Sequence, residues 1–357
     1  MRLRHLVARG FRNLADLECE PPAAGVAILG ANAQGKTNLL EAVYYPVLFR
    51  SLRGAADAEV LRVGEAGFRV EAVVGEGRVG TVAATYVAAG RRKRILVDGE
   101  EPGRLADAVG GWLAVAFLPA DVGLAGGPAA ERRQYLDRLL SLADARYLRA
   151  LTRYRAALVQ RNSALRQDRP ELAEMFDPPL ASAGAEVTTL RERWAESAAE
   201  QFRGELACIG EGAEARLRYR GDPALGDPAA WPAALGAARG ADRARGMTTV
   251  GPHRHDLVLE IGGRPLREYG STGQQRSAAV ALKLIEIATL RAARGTEPAL
   301  LLDDVFAELD RERQGRLARR LLGEGERQVF ITAPRPDELP AELGLEVWRV
   351  REGRLER

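Results

Sequence analysis

Apolar and polar positions along the chain switch between two periods. Residues 1–9 read as a first strand, and the four apolar residues 26–29 as a short buried one. Helical spacing follows at residues 37–47, where Leu39, Leu40 and Val43 recur. Between residues 60 and 97 the pattern turns to short alternating runs, Phe68-Arg-Val-Glu-Ala-Val and Gly80-Thr-Val-Ala-Ala-Thr-Tyr-Val among them. A further run, Arg94-Ile-Leu-Val, ends at Asp98-Gly99, a hairpin signal, so antiparallel strands are expected here. Residues 114–117 predict another buried strand, leading into a Pro- and Gly-rich loop.

From residue 130 to about 206 the spacing is helical. Tyr147, Leu151, Tyr154, Leu158 and Leu165 mark one apolar stripe, and Val187, Leu190, Trp194, Ala198 and Phe202 a second. Asp177-Pro178-Pro179 reads as the break between them, which predicts an antiparallel helical hairpin too short for a long coiled-coil arm. Residues 207–245 read as mixed or loop-rich. Strand and helix texture returns at Asp256-Leu-Val-Leu-Glu-Ile, with a turn at Gly262-Gly263 and a long helix over 277–294. A buried strand at 299–302 and strands at 328–332 and 346–350 follow. The expected architecture is an α/β nucleotide-binding domain, residues 1–120 plus 246–357, split in sequence by an inserted helical lobe, 121–245.

Composition narrows this only a little. With 357 residues, 46% hydrophobic and 28% charged, the chain can bury a sizeable core as one large domain or two. Cys19 and Cys208 are its only cysteines, without metal-ligand spacing, which fits a reducing compartment. The N-terminus lacks a signal-peptide core, and the uncharged stretch of 13 residues at 108–120, with Pro119 inside, is too short to span a bilayer, as is the 15-residue one at 21–35. The expectation is a soluble cytoplasmic protein with no membrane partner. A net charge of +3 leans towards an anionic partner without specifying one.

The chemistry is concentrated after the strand at 26–29. Gly30-Ala31-Asn32-Ala33-Gln34-Gly35-Lys36-Thr37 has the spacing of a Walker A phosphate loop. Glycines let the backbone wrap closely round a phosphate, and the helix beginning near Lys36 adds its dipole. Lys36 can neutralise the β and γ phosphates of ATP, and the Thr37 hydroxyl can ligate Mg²⁺. Only three lysines occur, Lys36, Lys93 and Lys283, so a compact ammonium here stands out in a chain that otherwise uses Arg. Residues 299–304, Ala-Leu-Leu-Leu-Asp-Asp, form a Walker B pattern. Asp303 would hold Mg²⁺ and Asp304 would orient or deprotonate the attacking water.

Ser271-Thr-Gly273-Gln274, ahead of a helix, resembles the signature motif of ABC-type ATPases, although a polar helix cap is the simpler reading of Ser-x-Gly alone. Ala307-Glu308-Leu309-Asp310 stands where that family's D-loop would be. His5, His253 and His255 have no further ligand at useful spacing, so the last two read as loop hydrogen-bonders.

Taken together, several segments resemble the RecF family of bacterial recombination mediators. They are Phe11-Arg12-Asn13, the phosphate loop continuing Asn38-Leu39-Leu40-Glu41-Ala42, and Gly251-Pro252-His253-Arg254. Ser271-x-Gly-Gln-Gln-Arg276, Leu-Leu-Asp303-Asp304 and Gln328-Val-Phe-Ile-Thr332 complete the set. The middle of the chain contributes only Arg132-Arg133-x-x-Leu136-Asp137. The resemblance implies a P-loop ABC-type ATPase head, similar to that of SMC proteins, with an antiparallel β subdomain and an inserted helical lobe. It implies nucleotide contacts from Arg12, Asn13 and Asn38 as well, and an ATP-dependent homodimer in which Ser271, Gly273 and Gln274 of one subunit reach the ATP of the other. It also implies DNA binding, slow DNA-stimulated hydrolysis, and work with RecO and RecR to load RecA at gaps. His255 departs from the acidic residue usual after Gly-Pro-His-Arg. No switch histidine follows 328–332, leaving Thr332 or a water to substitute, and no Q-loop glutamine follows Phe117.

Residues 146–169 carry seven arginines, of which Arg146, Arg149 and Arg153 fall clear of the apolar stripe and read as a DNA face. A solvated face paired with nearby acids is the alternative. Arg91, Arg92, Lys93 and Arg94 offer another DNA path. Rival readings of the whole are an SMC-like structural clamp and the ATPase subunit of a membrane transporter.

Overall fold

The structure is a computed structural model and describes residues 1–75, 80–211, 214–306, 315, 318–321, 327–339 and 343–356. It divides into two compact units, Met1–Ala120 with Glu286–Arg357, and Asp121–Ile285. The stretch 246–285, expected with the head, therefore falls with the lobe. The reason is pairing: β8 (Ala215–Arg220) runs antiparallel along all of β9 (Asp256–Ile261).

In the first unit a six-stranded sheet has the order β14-β13-β3-β12-β11-β7. These strands are β3 (Gly25–Leu29), β7 (Ala114–Phe117), β11 (Ala299–Asp303), β12 (Val329–Ala333), β13 (Glu346–Arg351) and β14 (Arg354–Glu356). All are parallel except the β13–β14 hairpin. Every residue of β3, β11 and β12 is buried, as parallel strands covered on both faces require. β12 thus lies between the strand feeding the phosphate loop and the strand ending in Asp303.

The antiparallel strands expected between 60 and 97 belong to a second sheet, β2-β1-β4-β5-β6. Its members are β1 (Leu3–Arg9), β2 (Leu17–Cys19), β4 (Gly67–Val74), β5 (Gly80–Val87) and β6 (Arg92–Val97). Along β4 buried and half-buried positions alternate, so one face lies on the core. That core meets helix α1 (Lys36–Leu48) through Phe11, Tyr45 and Phe68, packed edge to face with centroids 5.3 to 5.7 Å apart. Lys93 of β6 is turned inward here. It donates to the Phe49 carbonyl at the end of α1, pairs with Asp57 at 3.1 Å and lies 5.0 Å from the Tyr45 ring. Lys93 is therefore a helix clamp and not part of a DNA surface. The short helices α2 (Asp57–Val60) and α3 (Leu105–Ala108) complete this unit's connections.

The second unit opens with α4 (Gly123–Gly126), α5 (Ala129–Ala143), α6 (Ala145–Arg166), α7 (Pro170–Glu174) and α8 (Asp177–Ile209). α6 packs along α8, with Tyr147, Leu151 and Tyr154 of one stripe and Val187, Trp194 and Phe202 of the other all buried. Pro178 and Pro179 sit in the first turn of α8 rather than in the connection, because no intrahelical N–H bond is lost there. Residues 207–245 are more regular than their Gly, Pro and Ala content suggests. They hold β8 and α9 (Trp231–Arg245), anchored by a fully buried Trp231. β10 (Arg264–Pro265) and α10 (Leu266–Tyr269) lead to α11 (Thr272–Arg294), which starts before the 277 predicted and crosses the boundary between units. Among the described residues, no helix is long and apolar enough to cross a membrane.

Candidate nucleotide site

The phosphate loop runs from the end of β3 into α1, whose N-cap is Gly35 at φ 112. Only glycine holds that conformation without strain, and a Cβ there would lie 3.0 Å from the Asn13 carboxamide. No side chain caps α1 and no acid stands in its first turn, so its leading amides lack a side-chain acceptor. Ala33 also takes a left-handed conformation, φ 64, which folds the loop back on itself. Lys36 is buried, its ammonium donating to the carbonyls of Gly30 at 2.7 Å and Ala31 at 3.3 Å. These are neutral acceptors. A bound phosphate would offer the ammonium a charged one.

The loop is braced by an element that sequence reasoning did not connect with it. The β13–β14 turn donates from the Glu352 amide to the Gln34 side chain (2.7 Å) and from the Gly353 amide to the Gln34 carbonyl (2.9 Å). The same turn accepts at Gly353 from the Ala15 amide, 2.9 Å away. The one legible signal is Gly353, whose φ of 74 and close approach to the Asn13 carbonyl exclude a side chain.

At the ends of β11 and β12 three oxygen-bearing side chains converge. Thr37 Oγ1 donates to the Asp303 carboxylate (2.9 and 3.0 Å), and Thr332 Oγ1 donates to it at 2.8 Å. The register explains the meeting, since Thr332 pairs with Asp303 on one side and Ile28 on the other. Burial raises the Asp303 pKa above the ordinary carboxylate value, against the hydroxyl bonds from Thr332 and Thr37 that pull it down. A buried carboxylate beside a threonine hydroxyl is a hard oxygen donor set, so these residues fit Mg²⁺. Asp304 sits in a strained left-handed conformation, φ 48, with its amide donating to Thr332 Oγ1 at 3.0 Å. Thr332 thus touches both aspartates, in the place where a switch histidine is missing.

Beside the loop, Arg12, Asn13 and Asn38 join one polar network. Asn38 Nδ2 donates to Asn13 Oδ1 at 2.6 Å, and Arg53 donates to Asn38 Oδ1 and to Glu41. Arg12 clamps the fully buried Glu41 with two bonds (2.8 and 3.0 Å) and also reaches the Glu59 carbonyl. Burial alone would raise the Glu41 pKa, but bonds from Arg12, Ser51 and Arg53 outweigh it and hold the carboxyl below its ordinary value. The donors of Arg12 are therefore committed to Glu41 rather than turned towards a ligand. Arg53 has no distinctive spacing in the sequence, and Glu41 stands out there only as part of the phosphate-loop continuation.

In the second unit Ser271 and Gln274 form a reciprocal cap on α11. The Gln274 amide donates to Ser271 Oγ (3.2 Å) and the Ser271 amide to Gln274 Oε1 (3.1 Å). The cap reading of this motif is thus formed in the chain, on the residues that the signature reading also names. Gly273 lies in the first turn of that helix. Ala307 to Asp310, the expected D-loop, lies outside the described residues.

In the Gly251-Pro252-His253-Arg254 loop Arg254 is exposed, whereas His253 is tied inward by hydrogen bonds. His253 Nε2 faces the Thr248 carbonyl at 2.9 Å and therefore donates, so Nδ1 accepts from Tyr154 Oη at 2.6 Å. His255 Nδ1 lies 2.9 Å from Tyr219 Oη. Burial pulls both imidazoles down to about 4, leaving them neutral near pH 7. Among the described residues no cluster of His, Cys, Asp and Glu could hold a metal by itself. One residue after His255, Asp256 binds Arg132 through both oxygens (2.8 and 2.9 Å).

The lobe arginines divide into two sets. Arg161 is buried against Asp177 and Asp242, each at 2.7 Å, and belongs to the core. Arg146, Arg149 and Arg153 are exposed, as the stripe predicts. Glu186 receives Arg153 at 2.8 Å and lies 3.8 Å from Arg146, while Arg149 has no ion-pair partner among the described residues. Two of the three cations thus share one carboxylate, and the third stands without one among the described residues.

No family model matches the chain. A protein of Anaeromyxobacter dehalogenans (strain 2CP-C) named DNA replication and repair protein RecF is 41% identical over 323 residues, 87% of this chain and 86% of that protein. One of the same name from Chloroflexus aurantiacus is 37% identical over 387 residues, 98% of each. A solved structure described as the recombination mediator protein RecF-ATP in the RecFOR pathway superposes with a TM-score of 0.90 at 30% identity, over 99% of this chain and 96% of that one. An Smc head bound to the C-winged helix domain of ScpA shares the fold at a TM-score of 0.57 and 14% identity, over 99% of this chain and 96% of that one.

Proposed function

Because this chain belongs to the RecF family of DNA replication and repair proteins, we propose that it is an ATP-gated DNA-binding protein whose head-to-head dimer forms over two ATP molecules. The observation that carries the reading is the meeting of Thr37, Asp303 and Thr332 beside an uncapped helix start. Lys36 binds the β and γ phosphates, moving from neutral carbonyls to charged oxygens. The α1 amides supply further donors. Thr37 and Asp303 hold Mg²⁺, which when bound neutralises phosphate charge. Asp304 accepts the proton of the attacking water, and the Thr332 hydroxyl orients it for that task. Ser271, Gly273 and Gln274 of the second subunit complete the site in trans, and slow hydrolysis, stimulated by DNA, resets the dimer. The exposed Arg146, Arg149 and Arg153 contact the phosphates of double-stranded or gapped DNA. RecO and RecR are the proposed partners, and loading of RecA at single-strand gaps the proposed outcome.

Sedimentation with and without ATP, and with and without duplex DNA, tests this reading. ATP should convert monomers to dimers, and DNA should co-sediment only with the dimer. A chain that stays monomeric in ATP while binding DNA equally well contradicts it.

A further inference from the structure

Of the four Trp, eight Tyr and eight Phe in the chain, all described, only Tyr269 is exposed, with 67% of its surface in water. We infer that Tyr269 is a base-stacking platform, which takes the purine of an ATP held by a second copy of this chain. The inference rests on the ATP-sandwiched dimer proposed above and names a contact within it.

Three features support it. The first is the ring itself. The Arg264 guanidinium lies over it, 5.8 Å from the centroid, which holds one face and leaves the remainder of the ring to solvent. A supported, largely solvent-exposed aromatic surface matches the flat face of a nucleobase.

The second feature is rigidity. Tyr269 ends α10, and the Gly270 amide donates back to the Leu266 carbonyl at 3.0 Å. The Gln275 carboxamide donates to the carbonyls of both Leu266 (2.9 Å) and Gly270 (3.3 Å). A Cβ at Gly270 would lie 2.6 Å from that same Leu266 carbonyl, so the segment tolerates no side chain there. With the Ser271–Gln274 cap, these bonds tie residues 266–275 to the start of α11. The backbone that carries the platform is therefore fixed before any ligand arrives, which lowers the entropic cost of binding.

The third is position. Tyr269 is two residues from Ser271, so their Cα atoms are at most about 7 Å apart. If the Ser271 helix start meets a γ-phosphate, a neutral ring displaced from it suits the nucleoside end of that ligand rather than the phosphates. Tyrosine adds π surface without charge, so it distinguishes a nucleotide from a bare polyphosphate.

The test is sedimentation equilibrium of the full chain without DNA, titrated with Mg–ATP. Tyr269→Ala should weaken the dimer about tenfold per lost stack, so roughly a hundredfold for the two in a dimer. Tyr269→Phe and Tyr269→Trp keep a π face and should stay within a few-fold of the parent, which separates stacking from misfolding. With Mg–tripolyphosphate in place of ATP, parent and Tyr269→Ala should converge. Equal dimer affinity of parent and Tyr269→Ala in ATP would overturn the inference alone. A parent chain that forms no dimer in ATP would overturn the sandwich reading and this inference with it. Intact dimers of Tyr269→Ala with lost affinity for a single-stranded oligonucleotide would assign the base to DNA, against the inference.

Discussion

Helix α1 begins at Lys36 with no side chain across its first amides, whereas α11 begins at Thr272 under a cap made by Ser271 and Gln274. Both starts follow glycine-containing motifs. The first leaves its leading amides without a side-chain acceptor, with a buried ammonium beside it and a buried carboxylate bonded to the half-buried Thr37 hydroxyl. The second satisfies its own amides, so an incoming phosphate must compete with a cap bond of about 1 kcal/mol. The difference suits the division of labour proposed above. There one helix start would bind nucleotide in each monomer, and the other would engage only when the gain in a dimer exceeds that small cost.

The largest expected effect breaks the first site. Asp304→Asn removes the proton acceptor, and hydrolysis should fall by about a hundredfold or more, while ATP-dependent dimers persist and fail to reset. Phosphate release measured beside sedimentation checks both halves, and rapid turnover in this variant would move the catalytic role elsewhere. Lys36→Arg should retain nucleotide binding yet lose hydrolysis by about a hundredfold, because the broad guanidinium cannot take the seat against the Gly30 and Ala31 carbonyls. Hydrolysis at the parental rate would count against the phosphate-loop assignment.

These residues were legible because the chemistry demands fixed types at fixed spacing. Gly30, Gly35, Lys36, Thr37 and Asp303 could be read without any fold. Thr332 was half legible, as the end of a strand lacking a histidine, and its role depends on β12 lying between β3 and β11, a matter of sheet order that no local pattern carries. The burial of Glu41 and its pairing with Arg53 could not be read, since a buried ion pair has the same composition as a solvated one. In the lobe the stripe does separate two arginines. Arg153 falls clear of it and is exposed beside Glu186, whereas Arg161 stands in it, three residues after Leu158 and four before Leu165, and is buried between two aspartates. The helix hairpin was legible from its stripes, whereas β8 and α9 were hidden by Gly and Pro content that serves turns and a helix first turn.

A middling effect is expected on the lobe. Changing Arg146, Arg149 and Arg153 together to Gln should flatten the plot of log K for DNA against log salt by about two to three units, with hydrolysis in the absence of DNA unaltered. An unaltered slope would place the DNA path elsewhere, with the exposed Arg91 and Arg92 the next candidates. The smallest effect sharpens the contrast between helix starts. Ser271→Ala should cost the free chain about 1 kcal/mol of stability in denaturant unfolding. No change would mean that the cap does not contribute, and the second site would then be as open as the first.

Ser271→Arg tests the central claim most directly. A bulky cation at the start of α11 should block approach of the partner's nucleotide while leaving the chain's own phosphate loop untouched. Sedimentation in saturating ATP, with bound nucleotide measured on the same sample, should find monomers that carry ATP. Dimers of normal affinity in this variant would contradict the head-to-head account.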